Sequence, residues 1–314
     1  MKSILSKYVD KFYFKKWIIG ICRGDINDII RNKIFDPQIQ WLLKKSPDKF
    51  YADPFLVNLE NGNLNILLEE FPFDEDYGKI SLLKLDKNLK QVYYKVLLDT
   101  KSHLSYPFVF KENNKTYIFP EAAKSGKLAC YLYDSENESL TFIQDILNMP
   151  LRDSTILKQG DKYWLFGILS EENGKDYKLY VFFSDNLLGP YVPHMSNPVK
   201  SGLDGTRPAG NFIVIDGVVY RPSQNCQNGY GESITINKLT QLNEKNIIEE
   251  PYMTVSINRK IRNNSMIHSI HTINVIENTI VVDGEQWTFS PALQLRKFIK
   301  GFLDQQKNNK YKRR

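Results

Sequence analysis

Cysteine is scarce in this chain of 314 residues, and long apolar runs are missing. The three cysteines, Cys22, Cys130 and Cys226, are odd in number and far apart, which argues against a disulfide framework and against a zinc site. No apolar run reaches the roughly 18 residues that cross a bilayer. Residues 1–17 have no small-residue cleavage site of the kind that ends a signal peptide. Together these absences predict a cytoplasmic protein.

Several motifs of nucleotide, metal and hydrolase chemistry are also absent. The chain has no glycine-rich phosphate loop, no Asp-x-Asp element that follows a nucleotide-binding βαβ unit, and no His-Glu-x-x-His. It also lacks the Gly-x-Ser-x-Gly turn that carries a serine nucleophile. These absences disfavour a Rossmann-type nucleotide-binding transferase and a serine hydrolase. We therefore expect neither a cofactor nor a metal.

The net charge of +6 is concentrated near the C-terminus, and the body of the chain is nearly balanced. This balance disfavours nucleic acid as a partner. The basic tail is either a solvated end or is attracted to an anionic membrane face. Before the tail, apolar residues fall on one side of a helix, which either docks on the body of the protein or lies on a membrane. These apolar residues are Leu293, Leu295, Phe298, Ile299 and Phe302.

A pattern repeated five times dominates the rest of the sequence. Each copy opens on a polar residue beside a small residue or proline, enters an apolar strand, turns, and continues into a second apolar strand. The copies lie roughly 45–65 residues apart, which is typical of propeller blades with loops. The openers are Ala52-Asp53-Pro54-Phe55, Ser105-Tyr106-Pro107-Phe108, Arg152-Asp153-Ser154-Thr155, Thr206-Arg207-Pro208-Ala209 and Ser269-Ile270-His271-Thr272.

The turns between the paired strands favour the same architecture. Asn61-Gly62, Asn113-Asn114, Gly160-Asp161 and Asp216-Gly217 tolerate the positive φ angles of tight hairpins. A β-sandwich also has many short strands, but it does not predict a polar opener before each hairpin.

We predict an all-β, five-bladed β-propeller with short helical extensions at both ends. The propeller occupies residues 49–290. Residues 1–48 form an extension of helix and strand, with a helix over residues 2–18. Residues 20–48 contain a short strand and loops, with a helical turn near residues 25–31. Residues 291–314 form an amphipathic helix and a basic tail.

The polar openers place carboxyl groups on the strands nearest the propeller axis. Asp53 opens blade one and Asp153 opens blade three, while Glu121 ends the second strand of blade two. Glu69 and Glu70 end the equivalent strand of blade one. Because unpaired buried carboxylates are costly, these groups are either structural ion pairs or do chemistry. A protonated and an ionised carboxyl group across a cleft suit glycosyl transfer, which gives the catalytic candidates Asp53, Asp153 and Glu121.

Other polar residues near the same predicted mouth are candidates for binding. Arginines bind phosphate, carboxylate or sugar hydroxyls with their forked donors. His271 is either a packing histidine or a ligand of sugar hydroxyls, and aromatic residues are either core or stacking surfaces. The donor-rich segment 221–232 is interpreted as a loop at the mouth. The predicted substrate-binding residues are Glu70, Tyr106, Arg152, Arg207, Arg221, Gln224, Glu232 and His271.

A set of short motifs resembles one known module. The motifs are Leu68-Glu69-Glu70-Phe71, His103-Leu104-Ser105-Tyr106, Pro120-Glu121, Arg152-Asp153-Ser154-Thr155, Arg207-Pro208-Ala209-Gly210 and Tyr220-Arg221-Pro222. Over roughly residues 45–290 the chain resembles the N-terminal module of plant glucosamine inositolphosphorylceramide transferases, which also occurs in bacterial surface-glycan loci. That module is similar in turn to the five-bladed propellers of arabinanases, xylosidases and invertases.

The resemblance implies roles for individual residues. By likeness to the propeller hydrolases, Asp53 is the base or nucleophile, Asp153 tunes or stabilises, and a glutamate is the acid. Glu121 is the assigned acid and Glu232 is the alternative. The resulting hypothesis is a cytoplasmic enzyme that transfers a glycosyl unit from an activated sugar donor to a glycan or glycolipid during capsule or lipopolysaccharide assembly, with or without tail contact at the inner membrane. A furanoside hydrolase and a non-catalytic glycan-binding module are the alternatives.

Overall fold

The structure is a computed structural model that describes residues 12–42, 46, 48–170, 177–257, 267–295 and 299. The described chain begins with strand β1 (Tyr13–Arg23), helix α1 (Ile26–Asn32) and strand β2 (Gln40–Leu42). Helix α1 is capped by Asp25, whose carboxylate accepts the N–H of Asn27, and it ends at Lys33 in the left-handed conformation. The helical turn predicted near residues 25–31 is therefore confirmed.

The chain then forms four-stranded and five-stranded antiparallel sheets, each of which is one blade of a propeller. Blade one contains β3 (Lys49–Glu60), β4 (Asn63–Pro72), β5 (Lys79–Leu85) and β6 (Gln91–Leu98). Blade two contains β7 (Ser105–Glu112), β8 (Lys115–Glu121), β9 (Leu128–Asp134) and β10 (Ser139–Leu147). Blade three contains β11 (Arg152–Gln159), β12 (Lys162–Ser170), β13 (Tyr177–Ser184), β14 (Val192–Pro193) and β15 (Lys200–Ser201).

The remaining two blades complete the ring. Blade four contains β16 (Asp204–Pro208), β17 (Ile213–Ile215), β18 (Val218–Asn225), β19 (Ser233–Leu242) and β20 (Ile247–Val255). Blade five contains β21 (Ile267–Ser269), β22 (Ile273–Ile276) and β23 (Thr279–Phe289), followed outward by β1 and β2. The predicted five-bladed β-propeller is confirmed.

Tight turns join the first two long strands of each blade, as the Asn, Gly and Asp pattern predicted. Asn61 has a φ of 52°, Gly62 of 81° and Asp216 of 51°. These residue types reach the left-handed region at low cost, so each turn reverses the chain without disturbing the strands beside it. All these turns lie at the end of the ring opposite the polar openers.

Blade five is built from both ends of the chain, which corrects one prediction. Residues 13–18, which were assigned to a helix, lie in β1 and pair with β23 over the whole strand, from Tyr13 with Phe289 to Arg23 with Thr279. The aromatic and β-branched residues of this segment suit a strand once a partner is present. Residues 2–11 of the predicted helix lie outside the described residues.

Apolar clusters fill the spaces between neighbouring blades. One cluster joins blades one, two and three through side chains such as Phe55, Phe108 and Leu165. Another joins blades five and one through Ile19, Ile21 and their neighbours. Since neighbouring blades pack on each other around the ring, the ring fixes how closely the inner strands approach the axis.

The C-terminal prediction is only partly covered by the structure. Residues 291–295 are helical, and residues 296–298 and 300–314, with most of the amphipathic helix and the basic tail, lie outside the described residues. Among the residues described, no helix has the length and apolar character needed to cross a membrane.

Candidate functional site

The inner strands of blades one, two and three are bulged at the same place. Their pairing shifts after Ala52, Ser105 and Arg152, and the next residue of each strand is in the left-handed region. Aspartate tolerates this conformation, but a bulky tyrosine is strained in it. These left-handed residues are Asp53 (φ 50°), Tyr106 (φ 43°) and Asp153 (φ 50°). Backbone strain repeated around one axis points to a functional site.

A cavity of about 350 Å³ lies at this end of the ring, and we call it the mouth. Side chains from all five blades line it, as the repeat predicted. They are Trp17, Phe50, Ala52, Asp53, Glu69, Phe71, His103, Ser105, Glu121, Ala123, Lys124, Arg152, Arg207, Tyr230 and His271.

Asp53 is held in place by several hydrogen bonds. Its Oδ2 accepts the N–H of Tyr106 at 3.1 Å, and its Oδ1 accepts the hydroxyl of Thr272 at 2.8 Å. Nε2 of His271 lies 3.3 Å from Oδ1 of Asp53, and Nδ1 of His271 lies 2.9 Å from Oδ2 of Asp283. The imidazole therefore bridges two carboxylates.

Asp283 of β23 anchors this bridge. Its Oδ1 accepts the backbone N–H groups of His271 and Thr272, each at 3.0 Å. Its Oδ2 accepts the N–H of Asp53, also at 3.0 Å. Asp283 is fully buried, so it fixes the backbone of two inner strands from within the core.

The bridge shifts the pKa values of His271 and Asp53 in opposite directions. Burial by itself lowers the pKa of His271, but the charges and hydrogen bonds of Asp283 and Asp53 raise this pKa well above its ordinary value. Burial raises the pKa of Asp53, but the hydrogen bond and charge of His271 outweigh it and lower this pKa. At neutral pH the site therefore holds an imidazolium beside an ionised Asp53.

Asp153 is paired rather than open to the mouth. Arg207 donates to both carboxylate oxygens, from Nε to Oδ2 and from Nη2 to Oδ1 at 3.3 Å. The guanidinium of Arg207 also lies 5.1 Å from the ring centre of Tyr230. Such a forked pair positions the arginine firmly at the wall of the mouth.

The pKa values of Glu121 and Glu69 are shifted in the direction opposite to that of Asp53. Burial, followed by the charge of Asp153, raises the pKa of Glu121 to about 8. Burial, followed by the charges of Asp53 and Glu121, raises the pKa of Glu69 well above its ordinary value. At neutral pH the mouth therefore presents the neutral carboxylic acid of Glu121 beside the ionised Asp53, which suits proton donation and acceptance within one cavity.

Asp53, His271 and Asp283 are also the group that a metal ion would use within the described part of the chain, since their ligand atoms lie within 4.8 Å of one another. These atoms already form ion pairs with one another and accept hydrogen bonds from the surrounding N–H groups. A cation would first have to displace the proton that His271 holds between the two carboxylates. The arrangement fits an ion bridge better than a metal centre.

Aromatic rings flank the acidic groups. Phe50 and Phe71 stack in parallel with ring centres 4.8 Å apart. The ring of Trp17 packs on that of His271 with ring centres 4.0 Å apart, and it meets the ring of Tyr230 edge-on with ring centres 6.1 Å apart. Flat apolar surfaces beside polar groups suit the C–H faces of sugar rings.

Some predicted binding residues point away from the mouth. Glu70 bonds to Lys49 at 2.6 Å and to Ser81 at 2.9 Å, because consecutive residues of a strand face opposite sides and Glu69 takes the side facing the mouth. Arg221 is buried in an ion pair with Glu249 at 2.6–2.8 Å, within blade four.

The other predicted binding residues support the site or lie outside it. The hydroxyl of Tyr106 contacts Thr155 and accepts the N–H of Gly210, so it fills the axis. Gln224 donates to the carbonyl of Pro208 at 3.3 Å and lies 3.5 Å from Asp153, so it supports that carboxylate. Glu232 accepts from Asn228 in its own loop and does not line the mouth. Arg152, Arg207 and His271 do line it.

The set of predicted site residues missed several that the structure brings to the site. Glu69 is equivalent to Glu121, since each follows the first residue of its strand by six positions. That count was a usable signal. Trp17 and Asp283 carried no such signal, because Trp17 contacts His271, and Asp283 contacts Asp53, from distant parts of the sequence. Lys124 carried no signal either, because it follows the end of β8 without a motif.

The fold is a five-bladed propeller, and it is similar to the folds of solved glycoside hydrolases. The family 117 glycoside hydrolase Zg3597 of Zobellia galactanivorans has a TM-score of 0.55 and 14% identity, with 88% of this chain and 92% of that chain covered. A thermostable family-43 glycoside hydrolase has a TM-score of 0.51 and 13% identity, with 71% and 84% covered. At such identities the likeness concerns the fold.

The sequence places the chain in a family. Residues 40–285 match the model of the family described as "Glucosamine inositolphosphorylceramide transferase 1, N-terminal", so the chain belongs to this family. The relative from Oryza sativa subsp. japonica is 32% identical over 171 residues, which are 53% of this chain and 23% of the relative. The relative from Arabidopsis thaliana is 33% identical over 195 residues, which are 59% of this chain and 25% of the relative. The match thus spans about a quarter of these curated relatives.

Proposed function

We propose that this chain is a carbohydrate-active enzyme that transfers a glycosyl unit from an activated sugar donor to a glycan or glycolipid acceptor. One observation carries the proposal: Asp53 and Glu121 line the same cavity, where the contact with His271 lowers the pKa of Asp53 and burial raises the pKa of Glu121 to about 8. The name of the curated relatives, glucosamine inositolphosphorylceramide transferase 1, supports transfer rather than binding alone.

In this proposal each acidic residue has one role. Glu121 gives its proton to the oxygen that leaves the anomeric carbon, since its pKa of about 8 keeps it protonated at neutral pH. Asp53 accepts the proton of the acceptor hydroxyl or stabilises positive charge on the sugar ring. Asp153 holds Arg207 at the wall, and the imidazolium of His271 keeps Asp53 ionised.

The biological setting is part of the proposal, and its support comes from the sequence alone. The module that the chain resembles also occurs in bacterial surface-glycan loci, so we propose a role in capsule or lipopolysaccharide assembly. We propose that the protein works in the cytoplasm, where activated donors are made. Contact of its basic C-terminal tail with the inner membrane would bring it to a lipid-linked acceptor.

The test is incubation of the purified protein with nucleotide-sugar or sugar-phosphate donors and a lipid-linked acceptor, followed by mass spectrometry of the products. We expect transfer by the wild type, and a loss of about a hundredfold or more in Asp53→Asn and in Glu121→Gln, as is usual for a removed acid or base. Glu250→Gln, an exposed change on β20, should retain activity and is the matched control.

Two outcomes would replace this proposal. The same acid and base suit water as the acceptor, so hydrolysis of furanosides without transfer would make the protein a glycoside hydrolase. If Asp53→Asn and Asp153→Asn leave glycan affinity and the cellular phenotype unchanged, the mouth is a binding site without catalysis.

A further inference from the structure

The mouth holds more cations than the two that the carboxylates of Asp53 and Asp153 engage. The ionised Asp53 is engaged by His271, and Asp153 is engaged by the fork of Arg207. Two further cations, Arg152 and Lys124, line the same cavity.

Arg152 has no carboxylate within hydrogen-bond distance among the described residues. Its carboxyl neighbour is Glu121, whose Oε1 lies 4.0 Å from Nε of Arg152. Burial and the charge of Asp153 keep the carboxyl group of Glu121 largely protonated, so this contact neutralises little of the guanidinium charge. The side chain of Arg152 is 41% exposed and is therefore accessible to a ligand.

Lys124 lies on the short 3₁₀ turn Ala123–Ser125, which directly follows the strand that ends at Glu121. It is exposed, and within the described ranges it forms no ion pair with a carboxylate. Lys124, Arg152 and Arg207 line one cavity with His103, and after burial their charges lower the pKa of His103.

We propose that Arg152 and Lys124 form a subsite for an oxyanion, either phosphate or carboxylate, carried by the sugar that occupies the mouth. The inference rests on the proposed function in one respect, that the ligand is a sugar. A guanidinium binds two oxygens of such a group in a fork, and the ammonium adds a point charge. The aromatic rings of Phe50 and Phe71 line the same cavity and offer a surface for the sugar ring.

This subsite defines a class of substrate. The oxyanion is the phosphate of a leaving group or the carboxylate of a uronic acid, and both have the same chemistry of recognition. A neutral glycoside would leave the two cations without a partner. The mouth should therefore select charged sugars over neutral sugars of the same ring.

The first experiment measures ligand affinity of the full-length wild type by calorimetry in low salt. The probes are glucose 1-phosphate, glucuronate and methyl glucoside, with the corresponding galactose series. We expect a charged probe to bind about tenfold or more tightly than its neutral counterpart, and the difference to shrink as salt is added. Preference for the 1-phosphate identifies the leaving group as the source, and preference for the uronate identifies the ring carboxylate.

The second experiment tests the two residues. Arg152→Gln and Lys124→Gln should each weaken binding of the charged probe about tenfold and leave that of the neutral probe unchanged. The matched controls remove the same charges at the opposite end of the ring. They are Arg31→Gln, beside the turn residue Asp216, and Lys87→Gln, beside Gly62. Both should bind like the wild type.

The proposal is overturned if charged and neutral probes bind the wild type equally, or if both mouth variants keep wild-type affinity for the charged probe while circular dichroism shows them folded. Its failure differs from failure of the transferase proposal. Charge-selective binding without turnover sinks transfer alone, whereas turnover without charge selectivity sinks the oxyanion subsite alone.

Discussion

At the scale of single residues, the mouth separates the protonation states of similar groups. Asp53 and Glu121 are both buried carboxyl groups, yet one lies against an imidazolium and the other against a carboxylate. Burial penalises the charged form of each, so the neighbour decides whether that penalty is overcome. This contrast makes the acid and the base distinguishable without a bound substrate.

The raised pKa of Glu121 should appear in the pH dependence of stability. A carboxyl group with a pKa near 4.5 when unfolded and about 8 when folded binds more protons in the folded state between these values. Its stabilising contribution is complete below about pH 4.5 and is lost as the pH rises towards 8, by on the order of 1 kcal/mol per pH unit. Glu121→Gln should flatten this decline in urea unfolding from pH 5 to 9.

A control separates Glu121 from the other acids. Glu250→Gln, on the exposed face of β20, should keep the wild-type slope of unfolding free energy against pH. An equal slope in the wild type and Glu121→Gln would show that Glu121 is ionised in the folded protein, and its role as the acid would be untenable.

Asp283 should control the charge of His271. Among the interactions that raise the pKa of His271 against burial, the charge of Asp283 is the largest. Asp283→Asn keeps the shape and removes this charge, so we expect the imidazole to titrate at lower pH and Asp53 to lose part of its stabilisation. Nitrogen chemical shifts of labelled histidine would report the change. The control is Asp216→Asn, at an exposed turn, and an unchanged titration of His271 in Asp283→Asn would contradict the expected role.

Sequence reasoning reached part of the site for a clear physical reason. Asp53, Glu121 and Asp153 were identifiable because they stand at repeated positions beside strand ends. The choice of Glu70 over Glu69 failed because two adjacent acids differ only in which face of β4 they occupy. Asp283 could not be assigned, since its contact with Asp53 depends on strands of blades five and one that meet only in the closed ring.

At the scale of elements, the correct predictions were those whose sequence signal lies in neighbouring residues. Hairpin turns such as Asn61-Gly62 carry their signal in adjacent residues, and they form where expected. Residues 13–18 of β1 were assigned to a helix because their partner, β23, lies more than 250 residues further along the chain. A segment rich in lysine and aromatic residues is ambiguous until that partner supplies the hydrogen bonds.

The indole ring of Trp41 packs against two glycines on paired strands, Gly20 of β1 and Gly284 of β23. A Cβ atom added at Gly284 would lie 2.5 Å from the ring of Trp41, and one added at Gly20 would lie 2.7 Å from it. We expect Gly284→Ala to displace this indole and to cost about 1–3 kcal/mol of unfolding free energy. Tryptophan fluorescence and urea unfolding would measure both effects.

The matched control for this change is a glycine in open space. A Cβ atom at Gly229 would meet no atom within 4 Å, so Gly229→Ala should leave both readouts close to the wild type. If Gly284→Ala were equally silent, the close approach of Trp41 to β23 would not contribute to stability.

At the scale of the whole molecule, one strand joins the two ends of the ring. Ile19 and Ile21 of β1 are fully buried and pack with Leu64 and Leu68 of blade one. The same strand completes the sheet of blade five. Because the mouth draws residues from both blades, its geometry depends on this closure.

The ring therefore predicts that β1 opens only when the whole propeller unfolds. β1 lies between β23 and β2, and residues 16–22 are buried, whereas β6 is an outer strand whose residues 91–93 are exposed. In native-state hydrogen exchange, the amides of β1 and β23 should share the free energy of global unfolding, and those of β6 should exchange through a less costly opening. Mass spectrometry of exchange at rising denaturant concentrations would separate these classes. Exchange of β1 through a less costly opening than that of β23 would mean that the ring opens at this strand while the other blades stay folded, and the mouth would then be assembled only part of the time.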